Sequence, residues 1–509
     1  MSSPQNFPIK NSLSKSDYLK AIQCKKSLWF SKNRADLKPP LDDKTKSKFE
    51  TGEEITELAR SYFSGGVKAA ESFFNVQKAV NSTNELIAQN HSVIFEATAI
   101  IEADNCHARI DILRKSQNTE SWELIEVKGS TSIKESHLED LSFQYHVFTK
   151  AGFKIDRCFL MLLDGKYKRD GEIDLNKLFK IGDVTEAVLE KQSEVEANKS
   201  DFLKALTRQF EPEVKIGAHC FEKDGHHPEC DFKDHCWREI PKYSVFDVCH
   251  RKKTAEKIVD QISSYRVEDL NIPEFPKGIK EIDVRSYQQN KNHIDQTKIE
   301  EWLDKLNYPL FFLDYESFQP AIPLFNNSSS YQQIPFQFSL HVQESVGGEL
   351  KHFEFLHQER SDPREEFIKE LIRLCAGEGN IICYYKSFEE TRNKELAADF
   401  PSYANAINNI SERMVDLWKP FNDRLIYSPK QQGSASIKNV LPAFTNLNYQ
   451  GMEIGNGSEA MEIYLDFIKG RKVDETKMIN DLLSYCKLDT YAMVELIGIL
   501  RSNINLIIP

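Results

Sequence analysis

The chain has 509 residues, too many for one compact core, and length alone implies roughly two to four domains. Its 66 Lys and Arg against 78 Asp and Glu give a net charge of −12, which excludes a histone-like polycation but leaves room for a local basic groove. Hydrophobic residues at 40% and charged residues at 28% exclude a disordered chain.

No apolar run reaches the ~18 residues needed to cross a bilayer. The opening MSSPQNFPIKNSLSKSDY has no signal-peptide apolar core, so a cytoplasmic protein without a membrane partner is expected. In a reducing compartment the ten cysteines are expected as ligands or core thiols rather than as a disulfide framework.

The first block, 1–245, opens on LSKSDYLKAIQCKKSLWFSKN. Ser14 or Ser16 can cap this amphipathic segment, which turns Tyr18, Leu19, Ile22 and Leu28 inward. A second helical pattern runs from Lys46 to Phe63 and stops at Gly65-Gly66. Residues 92–103, 107–113 and 121–128 are rich in Ile, Val, Phe and Thr with alternation, and predict successive strands. A helix is expected over about 134–151, a buried strand over 159–164 and a long helix over 185–207. Residues 218–237, AHCFEKDGHHPECDFKDHCW, are too rich in Cys and His for an ordinary loop.

A polar bridge of helices and turns, 246–298, leads to the second block, 299–509. There 311–318, 334–342 and 352–357 predict a strand meander. A helix at 363–377, a strand at 380–385 and a helix at about 388–399 follow, and a last helix spans 481–502. No internal repeat is visible. The class is α/β.

Two groups of acids stand out. In RIDIL…ELIEVKG, strand alternation puts Glu126 and Lys128 on one face, and a hairpin brings Asp111 to the same edge. Paired carboxylates suit a hard divalent cation, and a lysine beside them can position water or offset phosphate charge. The bland alternative is a set of solvated strand-end charges. In the second block Asp314 and Glu316 are i and i+2 on a strand, and Tyr485 and Asp489 are i and i+4 on a helix. Glu389 stands at the start of a helix between them. Four converging acids repel unless cations lie between them, which is the two-metal arrangement for phosphodiester hydrolysis, with Tyr485 orienting water.

Asp111, Glu126-x-Lys128 and the following FQYHVF helix with Gln144 resemble the RecB-type PD-(D/E)XK nucleases. Phe148 stands where that family has Tyr, and Thr56 where it has a metal-binding His in Gly52-Glu53-Glu54-Ile55-Thr56. Glu54 or Glu96 is the candidate replacement. Cys24, Cys220, Cys230 and Cys236 resemble the subset in which one Cys before the nuclease core and three after it bind a [4Fe–4S] cluster. The rival is a structural Zn2+ held by these cysteines with His219, His226, His227 or His235.

The second block resembles the DEDD exonucleases of RNase H-like fold. Asp314-x-Glu316 matches their first motif and Tyr485-x-x-x-Asp489 their third. SFEE matches the second, with Glu389 for the usual Asp and Tyr385 for the usual Asn. Asp416 is the reserve third acid, and SIKNVLPAF resembles the helix that follows. The resemblance spans nearly the full chain. It implies a restriction-endonuclease-like domain joined to an RNase H-like domain, a Mg2+- or Mn2+-dependent nuclease with catalytic Asp111, Glu126, Lys128, Gln144, Asp314, Glu316, Glu389, Tyr485 and Asp489, and DNA rather than RNA as partner, in repair or defence. Two alternatives stand beside it: only the second block cuts while the first clamps DNA, or the whole chain is a non-catalytic nucleic-acid scaffold.

Overall fold

The computed structural model of the protein describes residues 12–70, 75–117, 120–221, 227–274 and 277–502. It is a mixed α/β chain of two compact units. One comprises the chain to Glu239 together with Ala321–Ser330, and the other Ile240–Pro320 with the chain from Tyr331. The segment 246–298 thus falls within the second unit. Among the described residues no helix is long and apolar enough to cross a membrane.

The first unit is built on a six-stranded sheet of β1 (Val67–Lys68), β2 (Val93–Ile101), β3 (Cys106–Lys115), β4 (Trp122–Lys128), β5 (Ile155–Leu163) and β6 (Phe179–Asp183), in that order. β1 with β2 and β4 with β5 are parallel; the other pairs are antiparallel. The parallel step from β4 to β5 is made by the helix Glu135–Lys150, as a crossover requires. That helix buries Leu141, Gln144 and Phe148 along one stripe, the 3.6-residue spacing that docks a helix on a sheet. β3 shows the strand period. Ala108, Ile110 and Ile112 are buried, while His107, Arg109 and Asp111 alternate with them and are exposed to a cavity.

Two expected helices are each interrupted. The opening segment folds as Lys15–Gln23 and Lys25–Asn33, with Ser14 capping the first in a reciprocal pair with Asp17, and Cys24 extended between them. The helix expected over 185–207 is Thr185–Glu190 and Gln192–Leu206, parted at Lys191.

The second unit contains β7 (His293–Ile294), β8 (Leu310–Phe318), β9 (Ile334–Gln343), β10 (Leu350–Leu356), β11 (Asn380–Cys383), β12 (Met414–Asp416) and β13 (Ile426–Tyr427). Its main sheet runs β10-β9-β8-β11-β12, antiparallel on the β9 side of β8 and parallel from β8 through β11 to β12. β7 and β13 form a separate ribbon. β8 is buried on both faces. Phe311, Leu313 and Tyr315 pack in the cluster with Phe367 of helix Arg364–Leu374. Leu310 and Phe312 pack in the cluster with Met493 and Leu496 of helix Glu475–Ser502. With period two, Asp314 and Glu316 continue the second of these faces, toward the long helix that carries Asp489.

Candidate metal centres

In the first unit Asp111 on β3 accepts from the Val127 N–H of β4 at 2.8 Å, so the hairpin does bring it beside Glu126. Glu126 is almost wholly buried. Its Oε1 accepts from Lys128 Nζ at 2.9 Å and Lys15 Nζ at 2.8 Å, and its Oε2 has no hydrogen-bond partner. Lys128 also donates to Asp140, which in turn accepts from Gln144 Nε2 at 3.0 Å. Gln144 Oε1 is buried without a partner.

Burial and then the neighbouring Glu126 push the Asp111 carboxyl up to about 7. Burial also opposes charge on Glu126, but Lys128 and Lys15 outweigh it and hold that carboxyl far below its usual range. Burial works against both ammonium groups as well. Asp140 and Glu126 overcome it and raise both lysines above their ordinary value. Glu96 faces the same centre from β2 in a left-handed conformation, φ 56°, between the Phe95–Ile112 and Ala97–Ile110 pairs of an unshifted β2–β3 register. Arg60 donates to it, and Arg109 Nη1 lies 3.9 Å away. A cavity of about 430 Å3 opens here, lined by Lys15, Lys32, Glu96, Arg109 and Asp111 among others. Of the two replacements considered for the absent His, Glu96 is at the centre, whereas Glu54 is exposed on its helix.

Cys24, Cys220, Cys230 and Cys236 line one small cavity with Lys26, Phe30 and His219. The helix break at Cys24 turns its side chain there, and Cys230 N–H donates to Cys220 O at 3.1 Å. Burial pushes the Cys236 thiol up to about 11, with Lys26 opposing and the other three cysteines adding to it. His227 lies 3.1 Å from Gln23 and His235 packs edge-on against Phe30; His226 lies outside the described residues. Among the described residues no three of these sulfurs and imidazoles stand within 4.8 Å of one another.

In the second unit Asp314 and Glu316 on β8 and Asp489 on the long helix bring carboxylate oxygens within 4.8 Å of one another. Glu389, on helix Ser387–Asp399, is buried, and its charge acts on Asp314 and Glu316. Its Oε2 has no hydrogen-bond partner. Burial raises all four; the other acids of the group add to it at Asp314 and Glu316, and Asp416 and Glu390 add to it at Glu389. Asp489 rises to about 6, Glu316 and Glu389 each to about 8, and Asp314 well above its ordinary value. Asp416 Oδ1 accepts from the Tyr385 and Trp418 N–H groups, each at 3.0 Å, and its charge is the first of the neighbouring charges that raise Glu389.

Tyr485 is buried one turn before Asp489, and its hydroxyl helps to draw that carboxyl down. Burial first, and then Asp489, Glu316 and Asp314, raise its phenol far above its ordinary value, so it stays protonated. Tyr449 donates to Asp489 Oδ1 at 2.6 Å. Lys438 lies over both tyrosine rings and draws down Glu316 and Asp489.

Residues 311–436 match a family model described as a domain of unknown function, DUF2779. The chain is also 27% identical over 304 residues to the uncharacterized protein UU173 of Ureaplasma parvum, covering 52% of this chain and 42% of that one. It is 25% identical over 234 residues to the uncharacterized MG366 homolog of Mycoplasma pneumoniae, covering 42% and 35%. The matched stretches thus span roughly two fifths of those relatives' own length. The DUF2779 match contains Asp314, Glu316, Glu389 and Asp416, and ends before Lys438, Tyr449, Tyr485 and Asp489.

Four residues at these centres escape sequence reasoning. Asp140 had a signal, since it lies one turn before Gln144 on the same helix face. Lys438 lies inside the SIKNVLPAF helix that the resemblance covers. Lys15 and Tyr449 lie 111 and 40 residues from the acids they touch, and no local pattern points to them.

Proposed function

We propose that this protein is a metal-dependent nuclease that hydrolyses nucleic-acid phosphodiester bonds, its second unit an RNase H-like DEDD exonuclease and its first a RecB-like PD-(D/E)XK domain. One observation carries the reading: carboxylate oxygens of Asp314, Glu316 and Asp489 converge within 4.8 Å, with the charge of the buried Glu389 acting on the first two. Carboxyls raised together in this way are a cost to the empty fold that bound cations remove. The order β10-β9-β8-β11-β12, with the first motif on its central strand, supports the fold assignment.

Asp314, Glu316, Glu389 and Asp489 are the residues that would hold Mg2+ or Mn2+. A divalent ion there polarises a phosphoryl oxygen and acidifies water. Tyr485 and Tyr449 keep their protons and fix Asp489 in its charged form, and Lys438 offsets the surplus negative charge. In the first unit Asp111 and Glu126, with the unpartnered Glu126 Oε2 and Gln144 Oε1, form the corresponding donor set. The four cysteines around one cavity are the residues that would hold a [4Fe–4S] cluster, with a structural zinc as the rival. The same reading carries DNA as the expected substrate and a reducing, cytoplasmic setting.

A second reading has a specific observation behind it. Two lysines already neutralise the first centre, Lys15 and Lys128, both on Glu126 Oε1. On that reading only the second unit cuts, RNA included, and the first clamps the strand. The test is degradation of labelled single- and double-stranded DNA and RNA with Mn2+. Asp314→Ala abolishes it on the second reading and leaves only the first unit's share on the first, and Lys128→Ala lowers it only on the first. Degradation by Asp314→Ala equal to wild type overturns the proposal, and no degradation of any substrate by any form leaves a binding scaffold.

A further inference from the structure

The second unit contains a cavity of about 880 Å3 that none of the four acids lines. Its walls come from two stretches far apart in sequence, 279–293 and 418–435, with His250 at one side. In a chain of net charge −12 this lining is basic: Lys280, Arg285, Lys291 and Arg424 against Glu281 and Asp283. Both acids are already satisfied. Asp283, wholly buried, takes Arg424 at 2.7 and 2.8 Å, and Glu281 takes Arg285 at 2.7 Å. Lys280 reaches only carbonyl oxygens, Asp247 O at 3.0 Å and Gly433 O at 3.1 Å. Lys291 is exposed and has no carboxylate partner among the described residues. Two ammonium groups are therefore left for an anion.

The same cavity has an aromatic side. Trp418 lines it, and Tyr385 stands edge-on to Trp418 with ring centroids 5.2 Å apart. Tyr385 is 54% exposed, a position an aromatic ring leaves when it has an apolar place to go. Its backbone is left-handed, φ 69°, a conformation of real cost for an aromatic residue and one that clusters at binding sites. Asp416 holds that conformation by accepting from the Tyr385 and Trp418 N–H groups. This turn leads straight into the helix that carries Glu389. Tyr384, next in chain, donates to Ala435 O in the cavity wall at 2.6 Å. One short stretch of backbone thus joins the acid centre to the basic, aromatic cavity.

We infer that this cavity binds single-stranded nucleic acid next to the cutting centre, with Lys280 and Lys291 on its phosphates and Tyr385 and Trp418 against a base. This rests on the reading of the acids as a phosphodiesterase centre, and it names the substrate as an unpaired strand. Unopposed lysines recognise phosphate, and exposed rings recognise any base by its face, so affinity without sequence preference is expected. A duplex keeps its bases stacked and offers none to the rings. Burial lowers the Lys280 ammonium below its ordinary value, which an arriving phosphate reverses.

The experiment is fluorescence anisotropy of a labelled single-stranded oligonucleotide with the full chain in EDTA, where nothing is cut. Tyr385→Ala and Lys291→Glu each weaken binding about tenfold, and Lys291→Glu also lowers the slope of log affinity on log salt by about one. Duplex competes poorly. A mononucleotide that displaces the strand at equal concentration identifies a free nucleotide as the occupant and overturns the strand assignment. Both side chains are exposed, and circular dichroism confirms that the variants fold. If both bind like wild type with an unchanged salt slope, the inference fails whatever the activity. Asp314→Ala separates the two claims. It binds in EDTA at least as well as wild type and cuts less with Mn2+; cutting equal to wild type overturns the acid-centre reading alone.

Discussion

Lys15 Nζ stands 2.8 Å from Glu126 Oε1, where it shares one carboxylate oxygen with Lys128. The first helix of the chain thereby places a cation among Asp111, Glu126 and Asp140. Lys15→Met removes that charge and leaves a buried acid short of one partner. The metal-free protein should lose roughly 3 kcal/mol of stability, read as a lower urea midpoint. Mn2+ should bind the first unit more tightly, since it no longer competes with an ammonium, and calorimetric titration reads that directly. Unchanged midpoint and unchanged Mn2+ affinity would mean that Lys15 is only a solvated neighbour.

The second centre predicts the pH response of the metal-free fold. Glu316 and Glu389, pushed up to about 8, keep protons that the unfolded chain releases near pH 4.3. Between those values folding takes up protons, so stability falls as pH rises and levels off above about 8. His107, His137 and His341, each lowered to about 4 by burial, act oppositely below about pH 6.5. The acids are therefore read between pH 6.5 and 8. Melting temperature in EDTA should drop across that window, and Mn2+ should remove the drop. Glu316→Gln should be more stable than wild type at pH 8 and match it near pH 5. A wild-type melting temperature that is flat or rising in EDTA counts against raised carboxyls.

Tyr449 is an argument about one hydrogen bond. It donates to Asp489 Oδ1 at 2.6 Å and lowers that carboxyl, which sits at about 6 with the bond in place. Tyr449→Phe removes a hydrogen bond to a charged acceptor, a contribution of about 1.5–3 kcal/mol. The acid limb of the pH–rate profile for oligonucleotide hydrolysis should move up by about one pH unit, with little change on its alkaline side. An equal loss at all pH values would point to a packing defect instead.

Much of this was legible in the chain. Alternation in residues 107–113 and 311–318 places Asp111, Asp314 and Glu316 on definite faces, and the i, i+4 spacing pairs Tyr485 with Asp489, because both depend only on local periods. What escaped depends on contacts across the fold. The helix break at Cys24 has no Gly or Pro to announce it. The left-handed turns at Glu96 and Tyr385 are imposed by their partners against the residues' own preference. Tyr449 reaches Asp489 from a loop, and Lys438 sits on a helix whose apolar period places Val440, Leu441 and Phe444 but predicts no partner for the lysine. Asp416 adds a role that residue type and strand end do not announce: its Oδ1 accepts from two backbone N–H groups.

The cysteine cavity gives the last prediction. Cys24, Cys220, Cys230 and Cys236 share one cavity, drawn from the first helix break and from a stretch two hundred residues later. A group bound to all four ties those ends of the first unit together, and so adds its binding energy to the fold. Protein purified without oxygen should be brown, absorb near ~400 nm and contain iron. Cys230→Ser should lose colour and iron together and lower the melting temperature, whereas Cys375→Ser, a buried thiol in the second unit, should keep the colour. Stoichiometric zinc in a colourless protein would identify the rival metal. Neither metal, with a Cys230→Ser variant as stable as wild type, would leave four unliganded thiols and remove the cluster from the reading.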